Sequence, residues 1–120
     1  MSDYPTKFEA AVSTYPFKRW QQGGMEQYTE EACAAFAAVF DRLIHGLVRA
    51  GESASEQSKL DLLHQAVDEL NALNEQDDSL IETGEREDLC ELVNRVTVAC
   101  GLDPAKYGDG EGPASEWREW

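Results

Sequence analysis

Apolar residues in this chain recur at three- and four-residue spacing over most of its length, and the strict alternation of a half-buried strand is absent. The first such stretch, 5–22, places Phe8, Ala11, Val12 and Tyr15 on one helical face. Pro16 then removes a backbone donor and clashes with the preceding turn. The pattern therefore predicts a kink or break near Tyr15, a separate turn from Phe17 to Trp20, and a stop at Gly23-Gly24. The second stretch, 29–50, carries the widest stripe: Ala32, Cys33, Phe36, Val39, Phe40, Leu43, Ile44, Leu47 and Val48. That width predicts burial on more than one side. Thr29 is the expected cap, Glu30 and Glu31 suit the positive end of the helix dipole, and Gly51 is the expected stop.

A third helix is predicted over 55–74, capped by Ser53 or Ser55, with Leu60, Leu63, Val67, Leu70 and Leu73 on its apolar face. Next comes the acidic connection NEQDDSLIETGE, in which Leu80 and Ile81 are expected to pin the loop to the core. The fourth helix is predicted over 84–100, capped by Thr83, with Glu85, Glu87 and Asp88 in its first turn. Its stripe is Leu89, Leu92, Val93, Val96 and Ala99, and Gly101-Leu102-Asp103-Pro104 reads as a glycine-terminated end followed by a proline. The expected fold is all-α: a small antiparallel bundle of about four main helices. Residues 1–120 are read as one domain, with 104–120 as an ordered, irregular C-terminal extension packing on the bundle.

Composition adds little to that outline. With 42% hydrophobic and 28% charged residues the chain belongs with globular proteins. No apolar run reaches the roughly 18 residues of a membrane span. The first residues show no secretory pattern, so a cytoplasmic location is expected. Cys33, Cys90 and Cys100 are odd in number, form no CxxC, and fall beside helical stripes, which predicts buried thiols rather than a disulfide or zinc framework.

Charge changes the picture more. The net charge is −14, and its distribution is lopsided. Residues 1–50 hold six acids against five bases, whereas 51–120 hold 18 acids against the other five. A field of that sign repels phosphate, so nucleic acid and anionic membrane are disfavoured as partners. It favours a basic protein and would speed association with one. The densest acidic run is Asp77, Asp78, Glu82, Glu85, Glu87, Asp88 and Glu91. Two or three of these acids satisfy the helix dipole, and the rest cost folding free energy by self-repulsion. The competing explanation is solubility.

Candidate chemistry is sparse. His64 has Asp61 and Asp68 at metal-ligand spacing, but a solvated charged face accounts for the trio. His45, beside the second helix's stripe, is expected to be packed and hydrogen-bonded. The GDGEG segment, 108–112, joins no strand to a helix and lacks the spacing of a calcium loop. No catalytic residue, metal site or cofactor is expected. The last four residues, Trp117-Arg118-Glu119-Trp120, concentrate two of the three tryptophans. One helical turn, capped by Ser115, would set both rings on one side, where each buries about 150–250 Å². They are expected either to fold back as a lid, meeting Trp20, or to anchor a partner.

The block LNALNEQDDSLIETGEREDLCELVNRVTVACGLD, a short Gly/Asp segment and the closing EWREW resemble small acidic bacterial proteins of unassigned function, often found as immunity partners of polymorphic secreted toxins. The resemblance covers residues 70–120, most specifically Ile81-Glu82-Thr83, Glu87-Asp88-Leu89-Cys90 and Trp117-Arg118-Glu119-Trp120. It implies a non-enzymatic protein that binds and blocks a cognate toxin domain, and it supplies no catalytic residue. The contact set this implies is Asp77, Asp78, Glu82, Glu85, Asp88 and Glu91, with Trp117 and Trp120 as anchors or support. The alternative is a small homodimeric structural or adaptor protein, since the stripe over 29–50 exceeds what one neighbouring helix covers.

Overall fold

The structure, a computed structural model, describes residues 4–23, 28–76 and 81–120. Asp77, Asp78 and Leu80 lie outside the described residues. Among those described the fold is all-α and holds no strand. The order is α1 (Tyr4–Val12), α2 (Phe17–Gln22), α3 (Glu30–Ala50), α4 (Glu56–Gln76), α5 (Thr83–Ala99), two 3₁₀ turns (Pro104–Lys106 and Gly108–Gly110) and α6 (Ala114–Trp117).

The helix ends follow from local chemistry. Pro16 occupies the position before α2, so the first predicted helix is two helices. Thr29 caps α3 by accepting from the Ala32 N–H at 3.1 Å, and Gly51 ends it at φ 95°. Ser55, not Ser53, serves α4: its Oγ accepts from the Ser58 N–H at 3.1 Å. The α5 cap differs from expectation. Thr83 is already helical, Glu82 is the extended residue before it, and no side chain caps the turn. The Arg86 N–H closes on the Glu82 carbonyl at 2.8 Å, so the first turn begins one residue early and only Glu85 is acidic within it. At the other end Gly101 (φ 95°) donates to the Val98 carbonyl and Leu102 donates to that of Thr97, the paired closure a glycine stop makes.

Helix α3 is the centre of the core. It packs on α4, α2 and α1, burying Cys33, Phe36, Val39, Phe40, Leu43 and Leu47. Of its wide stripe, Ala32, Ile44 and Val48 are left half-buried. Phe17 and Trp20 pack around Phe36, with Phe17 stacked on it at 6.0 Å and Trp20 edge-on at 5.4 Å, and Tyr28 lies against Trp20 at 5.1 Å. Trp20 therefore belongs to this aromatic cluster and not to a contact with the C-terminal tryptophans. The first helix, α1, lies chiefly against α5. Ile81 is buried at the start of α5, and its N–H is held by Asn74 Oδ1 at 3.0 Å.

Among the described residues three polar ones are buried: Lys59, Asn71 and Thr97. Lys59 Nζ donates at 2.7 Å to the Glu52 carbonyl and at 2.7 Å to that of Cys100, and sits 5.8 Å from the Tyr4 ring centre. One ammonium thus ties the α3–α4 connection, the C-terminal end of α5 and α1. A cation there also complements the negative end of the α5 dipole. No helix among the described residues is long and apolar enough to cross a membrane.

Candidate functional site

The predicted contact residues divide by what the fold asks of them. Asp88 is half-buried and serves the interior: its Oδ2 accepts from Arg19 Nη2 at 2.7 Å and from Trp20 Nε1 at 2.9 Å. It fastens α2 to α5. Glu91, one turn on, is exposed and paired with Arg95 at 2.7 Å. Glu82 is exposed beside the start of α5, and Glu85 is half-exposed. Glu85 also accepts from the Tyr28 hydroxyl, which together with the larger effect of burial pushes that phenol well above its usual range. Glu87 is exposed and has no ion pair among the described residues. The structure therefore gathers Glu82, Glu85 and Glu87 around the beginning of α5 and draws Asp88 inward.

Asp88 and Glu91, with Arg19 and Arg95, line a polar pocket of about 150 Å³ between α2 and α5. It shares Glu91 and Arg95 with a groove of about 730 Å³ between α1 and α5, whose floor is Ala10, Ala11, Val98 and Ala99. Val98, at 59% exposure, is the most exposed large hydrophobic residue described. The rim carries both signs of charge, so this groove is locally balanced inside an acidic molecule.

The histidine trio does not assemble. Asp61 accepts from Gln57, His64 Nε2 lies 3.6 Å from Asp68, and no cluster among the described residues could hold a metal ion. His64 instead stacks on Trp117, with ring centres 4.6 Å apart and planes 12° from parallel. His45, expected to be packed, is exposed: its position on α3 turns away from the buried stripe. Cys33 and Cys100 are buried and Cys90 is half-buried, and burial raises all three thiols out of the reactive range.

The C-terminal segment does fold back, by a route other than the predicted turn. Pro113, not Ser115, precedes α6, and the helix stops at Trp117. Arg118 is extended (φ −69°, ψ 144°), so Trp117 and Trp120 do not share a helical face. Both rings are half-buried against the core. The residue that organises this segment is Asn71, which the sequence reading left unmarked. Its Nδ2 donates to the Trp117 carbonyl at 3.1 Å and its Oδ1 accepts from the Glu119 N–H at 2.9 Å. The available signal was that two tryptophans need a platform, and that Asn71 lies two turns from His64 on one face of α4.

No family model, curated protein or solved structure matches the chain.

Proposed function

We propose that this protein is a non-enzymatic binder of a basic protein partner, of the immunity type, which neutralises a bacterial toxin domain by occluding it. The observation that carries the reading is the unneutralised acid surface. Among the described residues, Lys and Arg side chains form ion pairs with Glu52, Asp88, Glu69 and Glu91. Glu75, Glu82, Glu87, Glu116 and Glu119 are exposed without such a pair. The helix dipole of α5 uses one or two carboxylates, not this many. A basic cleft that normally receives phosphate would meet them in place of the nucleic-acid backbone. The electrostatic contact belongs to Glu82, Glu85 and the exposed acids beside them. Asp88 contributes by holding α2, and Trp117 and Trp120 support the fold.

The test is to look for a secreted-toxin gene beside this one and to co-express its toxic domain, followed by association kinetics on the purified pair. Growth rescue is expected, with an association rate that falls about tenfold or more between about 0.05 M and about 0.5 M salt. A Glu82→Lys, Glu87→Lys double variant, which leaves the Glu85 bond to Tyr28 in place, should lose most of the rate while keeping its helical circular dichroism. A rate indifferent to both salt and charge reversal would remove the electrostatic reading.

A further inference from the structure

The last residues lie on α4 in the manner of a bound peptide. Arg118 is extended, and the amide of Asn71, itself 5% exposed, meets the carbonyl of Trp117 and the N–H of Glu119. One side chain thus reads two backbone groups two residues apart, the acceptor and donor that one edge of any extended segment offers. These bonds ignore side-chain identity. Selectivity comes from the rings: Trp117 stacks on His64, and Trp120, three residues on, is half-buried against the core. The fit is also incomplete. Arg118 Nε and Trp120 Nε1 are buried and meet no acceptor among the described residues, so docking removes two donors from water without replacing their bonds.

We propose that the α4 face centred on His64 and Asn71 is a peptide-binding groove, occupied in the resting molecule by Trp117–Trp120. Its external ligand is an extended segment of a protein partner with aromatic rings three residues apart. The Arg118 N–H bonds back to the Ala114 carbonyl at 2.9 Å, so a ligand brings that one turn with it, as a peptide beginning at Gly112 does. Gly112, Pro113 and Ala114, buried just before it, hold the resident segment in place, so the groove is latent toward dilute ligands. This inference is independent of the acidic-surface reading: it concerns a different face and a contact insensitive to salt.

The test uses the full chain and a labelled synthetic peptide of residues 112–120. The double variant Trp117→Ala, Trp120→Ala weakens the resident occupant, and the peptide should bind it about tenfold or more tightly than the parent protein, where the tethered segment competes. A peptide methylated on the nitrogen of the residue matching Glu119 cannot donate to Asn71 Oδ1 and should bind about tenfold more weakly. Equal affinity for the two proteins, no binding to the double variant, or no effect of methylation would each overturn the proposal. So would loss of helical circular dichroism in the double variant, which would make the segment an integral part of the core.

Discussion

Single residues hold together parts of the chain far apart in sequence, and Lys59 is the clearest case. Its ammonium satisfies two carbonyls from different connections. Lys59→Met fits the hydrocarbon part but strands both acceptors, and should cost about 2–3 kcal/mol in urea unfolding. Gly112 is constrained differently. At φ 114° it occupies backbone space that side chains disfavour, and a Cβ there would overlap Asn94 Oδ1. Gly112→Ala should therefore destabilise by about 1–3 kcal/mol, whereas the same change at Gly84, where nothing lies within reach, should be close to neutral or mildly stabilising. All four tyrosines are raised from the ordinary value of 10.0. Burial dominates for Tyr4, Tyr15 and Tyr28; for Tyr107 the leading cause is its hydrogen bond to Glu56. Tyr4 and Tyr107 reach about 12. A phenol whose folded value is raised contributes stability that is fully present below the unfolded value and lost as pH climbs through the folded one. Phenolate absorbance should thus stay flat at pH 10 and rise toward 12 together with loss of helix. A phenolate rise at pH 10 with the helical signal intact would contradict it.

At the scale of elements, Asp88 is the fastening between α2 and α5. Six residues make a marginal helix, and α2 persists because Phe17 and Trp20 are buried and Arg19 and Trp20 are tethered. Asp88→Ala should cost about 1–2 kcal/mol, because the partly exposed ion pair adds little beyond the bond to the indole. The expected signature is a red-shifted Trp20 emission before global unfolding. The helices themselves were legible because each carried its own punctuation. Thr29, Gly51, Pro16 and the Gly101-Leu102 stop act within a few residues, and the structure uses all of them. The beginning of α5 was misread by one residue because Thr83 resembles a cap, while the decisive bond lies between Glu82 and Arg86. His45 was misplaced because a position beside a wide stripe reads as buried, whereas the neighbouring helices leave that side open. Less legible still was anything joining distant segments. The roles of Asn71, Lys59 and Asp88 depend on where other helices lie, and periodicity is silent on that. The acid excess was legible because it is a property of the chain; which carboxylates the fold consumes was not.

For the whole molecule, a net charge of −14 within a radius of gyration of 14.0 Å means that self-repulsion opposes folding. The midpoint of thermal unfolding should rise as salt increases from about 0.01 M to about 0.3 M, because screening relieves the folded state most. Charge reversal of the exposed Glu82 and Glu87 should raise it as well while abolishing partner capture, so stability and binding move in opposite directions. That opposition would distinguish acids kept for a partner from acids needed by the fold. A midpoint unmoved by salt would show that the carboxylates are effectively solvated and mutually silent.

The pairing of α1 with α5 sets the order in which the molecule can be completed. During synthesis α3 and α4 emerge together and can close on each other at once. Tyr4, Phe8 and Ala11 must wait with much of their apolar surface uncovered until α5 has left the ribosome. The interval is one of exposure to chaperones and to other nascent chains, and a chain stalled before α5 would present that sticky amino-terminal helix with only its smaller contact to α3 to cover it.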